Sequence, residues 1–87
     1  MVEKHLVNQK IGVLAEFALG DVSYKQIRII QISIKKHVQI EGVRRIWRVR
    51  EGQRELYHFI VFSKFQTTFH LIFDPIVCEW HLESYEN

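Results

Sequence analysis

Three histidines and one run of arginines carry most of the reactive side chains of this 87-residue sequence. His58, His70 and His81 fall in three successive apolar segments, ELYHFIVF (55–62), TTFHLIF (67–73) and CEWHLES (78–84). Laid side by side as strands, these segments set His58 opposite His70 and His70 opposite His81. Neighbouring strands lie about 4.8 Å apart, so imidazoles on adjacent strands can converge on one ion. Zinc is the default for such nitrogen donors, and Glu79 or Glu83 could add a carboxylate. The plainer alternative is a half-exposed polar face. No HxH or CxxC motif reinforces the row, so the expectation is that plainer one: no metal is assigned, and His58, His70 and His81 stand only as candidates.

The arginines lie in GVRRIWRVREGQRELYHF (42–59), which holds five of them with a tryptophan, a tyrosine and a histidine. Strand alternation puts Arg44, Arg48 and Arg50 on one face. Arg54 follows near a turn, and Lys35 and Lys36 occupy a neighbouring loop. Arginine presents a planar fork that suits phosphate oxygens. These six residues are therefore the expected binding surface for an anion or a nucleic acid. The same pattern would also arise from a solvated outer face that keeps a small β protein soluble and guards its edges.

Enzyme chemistry finds little support. A nucleophile needs a base beside it, yet Cys78 falls on the expected core face, as a small buried hydrophobe. Ser23, Ser33, Ser63 and Ser84 sit near turns or ends without an elbow motif. Glu79 and Glu83 are too loosely placed for paired-carboxylate work, and the four glycines are isolated. The expectation is a non-enzymatic protein with no catalytic residue and no cofactor.

The bulk numbers bound what can hold such residues in place. With 47% hydrophobic residues, 25% charged, one proline and four glycines, the chain is globular, one domain over 1–87, and not a low-complexity segment. A domain this short buries only about 60–65% of its unfolded surface. Residues 25–64 hold ten of the twelve Lys/Arg and three acids, a net +7, against −5 for the remainder. That asymmetry implies a basic patch and an acidic C-terminal end. The single Cys78 excludes an intrachain disulfide and fits a reducing, cytoplasmic setting. MVEKHLVNQK has no apolar leader core, and no apolar run approaches about 18 residues, so neither a signal peptide nor a membrane partner is expected.

Residues 1–10 read as a loose or helical arm. IGVLAEFAL (11–19) alternates with strand period, GDVS (20–23) signals a turn, and KQIRIIQISI (25–34) is a β-branched second strand. The apolar phase of that strand shifts between Ile29 and Ile30, which predicts a bulge or bend. KKH (35–37) turns the chain and VQI (38–40) returns it. Hairpin loops at 51–53, 63–65 and 74–77 then join RRIWRVR (44–50) to the three histidine segments. In this register Trp47 faces Tyr57, Tyr57 faces Leu71, and Leu71 faces Trp80. The predicted core is Trp47, Tyr57, Phe59, Phe69, Leu71, Trp80 and Leu82, with Val49, Val61, Phe73 and Cys78 on the same side. Ile46, Ile60, Phe62 and Ile72 fall outside, as a patch for a partner unless covered. The fold class is all-β or β-rich: a small antiparallel meander of about six strands forming a bent sheet or partly open barrel.

The residue order LAEF (14–17), IQISIKKHVQIEGV (30–43), RRIWRV (44–49), ELYHFIVF (55–62) and FDPIVCEWHLESY (73–85) resembles a small bacterial family of domains of unknown function. It is also similar to the C-terminal tails of some polymerase-like proteins linked to DNA damage tolerance. Ile32 and Ile34 stand where that pattern expects aromatics, and Lys35 and Cys78 where it expects glycine. The resemblance implies an all-β domain and favours a DNA-associated role, and implies no catalytic residue. Two functions are therefore expected in competition: a binding module whose basic face meets nucleic acid or another anionic partner, or a protein-interaction or homo-oligomerising domain.

Overall fold

The computed structural model describes residues 4–16 and 27–87. They form six strands: β1 (Lys4–Glu16), β2 (Arg28–Ser33), β3 (His37–Glu51), β4 (Arg54–Ser63), β5 (Thr68–Asp74) and β6 (Glu79–Glu86). Each pairs antiparallel with the next, and β1 also pairs with β6, so the meander closes into a ring. Among the described residues no helix is long and apolar enough to cross a membrane. The GDVS turn predicted at 20–23 lies outside the described residues.

The N-terminal segment is strand, not arm or helix. From Lys4 to Ile11 it pairs with β6, and from Gly12 to Glu16 with β2. Its polar residues masked this in the sequence, because a strand with one face toward solvent needs apolar residues only at alternate positions. The bulge predicted in β2 is present: Leu14 pairs with Gln31 and Ala15 with Ile29, leaving Ile30 as the extra residue. That step lets Ile29 and Ile32, three apart, both enter the core.

The core is drawn from the inward positions of β2, β4, β5 and β6. Phe59, Ile32, Leu71, Leu82 and Val61 are fully buried, with Phe69, Phe73 and Trp80 around them. Each such side chain contributes about 1.5–3 kcal/mol by leaving water. Trp80 packs against Phe73 and Phe59 at centroid distances of 4.6 and 5.2 Å. Tyr57 packs at the edge of this cluster.

Trp47 is not in the core, which corrects the predicted register. Near Gly42 and Val43 the strands pair as the sequence suggested, Val43 facing Val61. The register then steps: Arg45 pairs with Ile60, and Arg44 is left over as a bulge. One extra residue reverses every later side chain of the strand. Trp47 therefore pairs with His58 on the outside, Ile46 turns inward onto Phe59, and Arg48 faces Tyr57. The β4–β5 and β5–β6 registers differ from expectation by two residues, Phe59 facing Leu71 and Leu71 facing Leu82. An even slip preserves the faces, so those core assignments hold. Cys78 is a second correction. It is exposed, in the loop between β5 and β6, with a positive φ of 54°.

The ring is uneven. β3 and β4 pair over ten positions, β2 and β3 only from Gln31–Gln39 to Ser33–His37. Beyond that short ladder the wall parts around a cavity of about 330 Å³ between Ile27–Ile30 and Ile40–Val43.

Candidate functional site

The outer face of β3, β4 and β5 gathers the chemistry. Its centre is Trp47, whose ring stacks on His58 (5.0 Å, 23°) and lies against His70 (5.2 Å, 45°). The Arg45 guanidinium sits 4.9 Å from the Trp47 ring centroid, and Arg44 sits 4.8 Å from that of Phe62. Both arginines are exposed. Gly42 makes the second pair possible: a Cβ there would stand 2.9 Å from Phe62 Cζ. A glycine inside a strand pattern signals a bulge or a close approach. Gly42 was thus the one sequence feature that pointed to this arrangement.

Beneath Trp47, His58 Nδ1 and His70 Nε2 are 2.8 Å apart, and His70 Nδ1 lies 2.7 Å from Glu83 Oε2. The β6 bulge places that carboxylate: His70 pairs with Ser84 and Leu71 with Leu82, so Glu83 is the extra residue. Burial pushes both imidazoles below the ordinary histidine range, and Glu83 opposes the shift in each. Burial thus favours the neutral form of each, which keeps a ring lone pair.

The predicted row of three histidines becomes a different trio. The two-residue slips make His58 and His70 diagonal neighbours, His58 facing Ile72 and His70 facing Ser84. His81 pairs with Ile72 and approaches Glu79 at 3.7 Å instead. Diagonal neighbours still lie within reach of long side chains. The donor atoms of His58, His70 and Glu83 all fall within 4.8 Å of one another.

The six predicted basic residues are not one surface. Arg48 and Arg50 turn to the Tyr57 side of β3, and Arg48 meets Glu55 at 3.9 Å. Arg54 is bound to the buried Asp74 carboxylate, spanning the hairpin from β4 to the end of β5. Asp74 also caps the next turn by accepting the Ile76 N–H at 3.0 Å. Lys35 and Lys36 lie in the β2–β3 turn, at the opposite end of β3 from Arg50. Only Arg44 remains with the outer aromatics, joined by Arg45, which strand alternation without the bulge would put on the opposite face.

No family model, no curated protein and no solved structure matches the chain.

Proposed function

We propose that this is a non-enzymatic nucleic-acid-binding domain, and that it grips single strands with the outer face of β3 and β4. The observation that carries this reading is the pairing of exposed arginines with outward aromatics, Arg45 over Trp47 and Arg44 over Phe62. Single-strand binders combine cationic groups that follow the backbone with aromatic rings on which bases stack. An arginine lying on a ring keeps its guanidinium edge donors for phosphate. Among the described residues, neither Arg44 nor Arg45 is paired to a carboxylate. The net +7 of residues 25–64 supplies the long-range attraction. The resemblance to tails of damage-tolerance polymerase-like proteins leans the same way.

Fluorescence anisotropy of labelled single- and double-stranded DNA and RNA oligomers, at about 50 and 200 mM salt, tests this proposal. Single-stranded oligomers are expected to bind, more weakly at the higher salt. The paired change Arg44→Ala with Arg45→Ala, or Trp47→Ala alone, should remove binding while far-UV circular dichroism stays unchanged. Arg48→Ala with Arg50→Ala should retain most of it. Absence of binding to every oligomer at the lower salt would overturn the reading and transfer the face to a protein partner or a second copy of the chain.

A further inference from the structure

The cluster under Trp47 has an unresolved hydrogen-bond ledger. A carboxylate accepts, so His70 donates to Glu83 from Nδ1, which leaves His70 Nε2 as an acceptor. His58 must then donate from Nδ1 to His70. The other nitrogen of His58, Nε2, is buried and has no hydrogen-bond partner among the described residues. A buried unsatisfied nitrogen is costly. Each imidazole in this series therefore has its tautomer fixed by its neighbour, and the series ends on the unshared lone pair of His58 Nε2.

We propose that His58, His70 and Glu83 form a binding site for one divalent transition-metal ion, with zinc the expected occupant. Two imidazoles and one carboxylate are a donor set that zinc takes, and three protein ligands leave a fourth position for water. The donor atoms already lie within 4.8 Å of one another. Around a tetrahedral zinc with bonds of about 2.0–2.1 Å, ligand atoms stand roughly 3.3 Å apart. On accepting the ion the three side chains turn, and the hydrogen bonds between them give way to metal–ligand bonds. The His58 and His70 rings are held by strands of one sheet and clamped against Trp47, so little ordering is needed on binding. A cavity of about 140 Å³ opens against His70 between Lys4, Thr68 and Glu86, and gives a hydrated ion a route in. An ion there would stiffen the platform that Trp47 forms against the histidines.

The experiment uses the full chain, stripped with a chelator, and zinc and cobalt salts alone as probes. Calorimetry should show one zinc per chain. Cobalt, being paramagnetic, should quench Trp47 emission saturably, with recovery when chelator is added. Trp47→Phe should retain the calorimetric binding and lose the quenching, because Trp80 lies inside the barrel. His70→Gln should abolish binding, and Glu83→Gln, which removes the one carboxylate ligand, should weaken it by more than the roughly 10-fold that follows loss of a ligand's outer hydrogen-bond partner. His81→Ala should leave it unchanged. Circular dichroism and the retained Trp80 signal establish that each variant is folded. Absence of binding in the folded wild-type chain would overturn the proposal, as would equal binding by His70→Gln, or loss in His81→Ala.

Discussion

The Trp47 and His58 rings lie 5.0 Å apart and 23° from parallel, as a cross-strand pair on the outside of the barrel. The contact exists because Arg44 is an extra residue in β3. Without that bulge the tryptophan would point inward, and Ile46 would turn outward in its place. The same pair joins the two proposed activities, since the indole that packs on the histidines also carries the Arg45 guanidinium.

The two tryptophans should respond very differently to truncation. Trp80→Ala is expected to cost about 3–5 kcal/mol, because it empties the space between Phe59 and Phe73. Trp47→Ala should cost under about 1.5 kcal/mol. Urea denaturation of the two variants measures the difference, and equal losses would refute the register described for β3.

Asp74 should set part of the acid limit of the fold. The hydrogen bond from Arg54 holds its carboxyl below the ordinary aspartate range, the N–H groups of Ile76 and Val77 assist, and burial opposes them. A depressed folded pKa means that the unfolded chain binds the proton more readily. The stabilisation is therefore complete above the ordinary aspartate pKa of about 3.9 and is lost as pH falls through the folded value. Arg54→Ala should move the acid-unfolding midpoint, followed by circular dichroism, to higher pH.

Gly42 and Phe62 should be coupled. Gly→Ala in an extended strand ordinarily stabilises by about 0.4–1 kcal/mol, through the unfolded chain. At Gly42 the new methyl would meet the Phe62 ring at 2.9 Å. Gly42→Ala is expected to stabilise only when Phe62→Ala is also present. A double-mutant cycle on denaturation midpoints gives the coupling.

Cys78→Gly should stabilise the protein. Cys78 holds a φ of 54°, a left-handed conformation that costs an L-residue roughly 1–2 kcal/mol and glycine much less. The larger freedom of glycine in the unfolded chain offsets part of that, leaving a gain of about 0.5 kcal/mol. Cys78→Ala keeps the Cβ and should bring no gain in Tm, which separates relief of backbone conformation from loss of the thiol.

Salt dependence should count the arginines that reach phosphate. On single strands each contact contributes about −0.7 to the slope of log K against log salt. Replacing Arg44 alone should flatten the slope by about 0.7. Replacing Arg48 and Arg50 should change it little.

Local pattern settled much of this protein. Period-two alternation from Glu55 to Glu83 named strands and inward residues, and Phe59, Phe69, Leu71, Trp80 and Leu82 are core as that alternation requires. The phase shift at Ile29–Ile30 marked a bulge that is present. What alternation could not fix was the count of residues between rungs. A bulge adds one residue in a single strand, and its energy depends on the partner across the ladder and on the curvature the barrel needs. One such residue, Arg44, moved Trp47 from core to surface and exchanged Arg48 for Arg45 on the aromatic face. A two-residue slip and the extra Glu83 replaced His81 in the histidine cluster. The strand character of Lys4–Lys10 was likewise settled by pairing, because its polar sequence gains a ladder only when β6 is already there to receive it. The sequence determined which side chains this protein has to bind with; closure of the ring decided which of them meet.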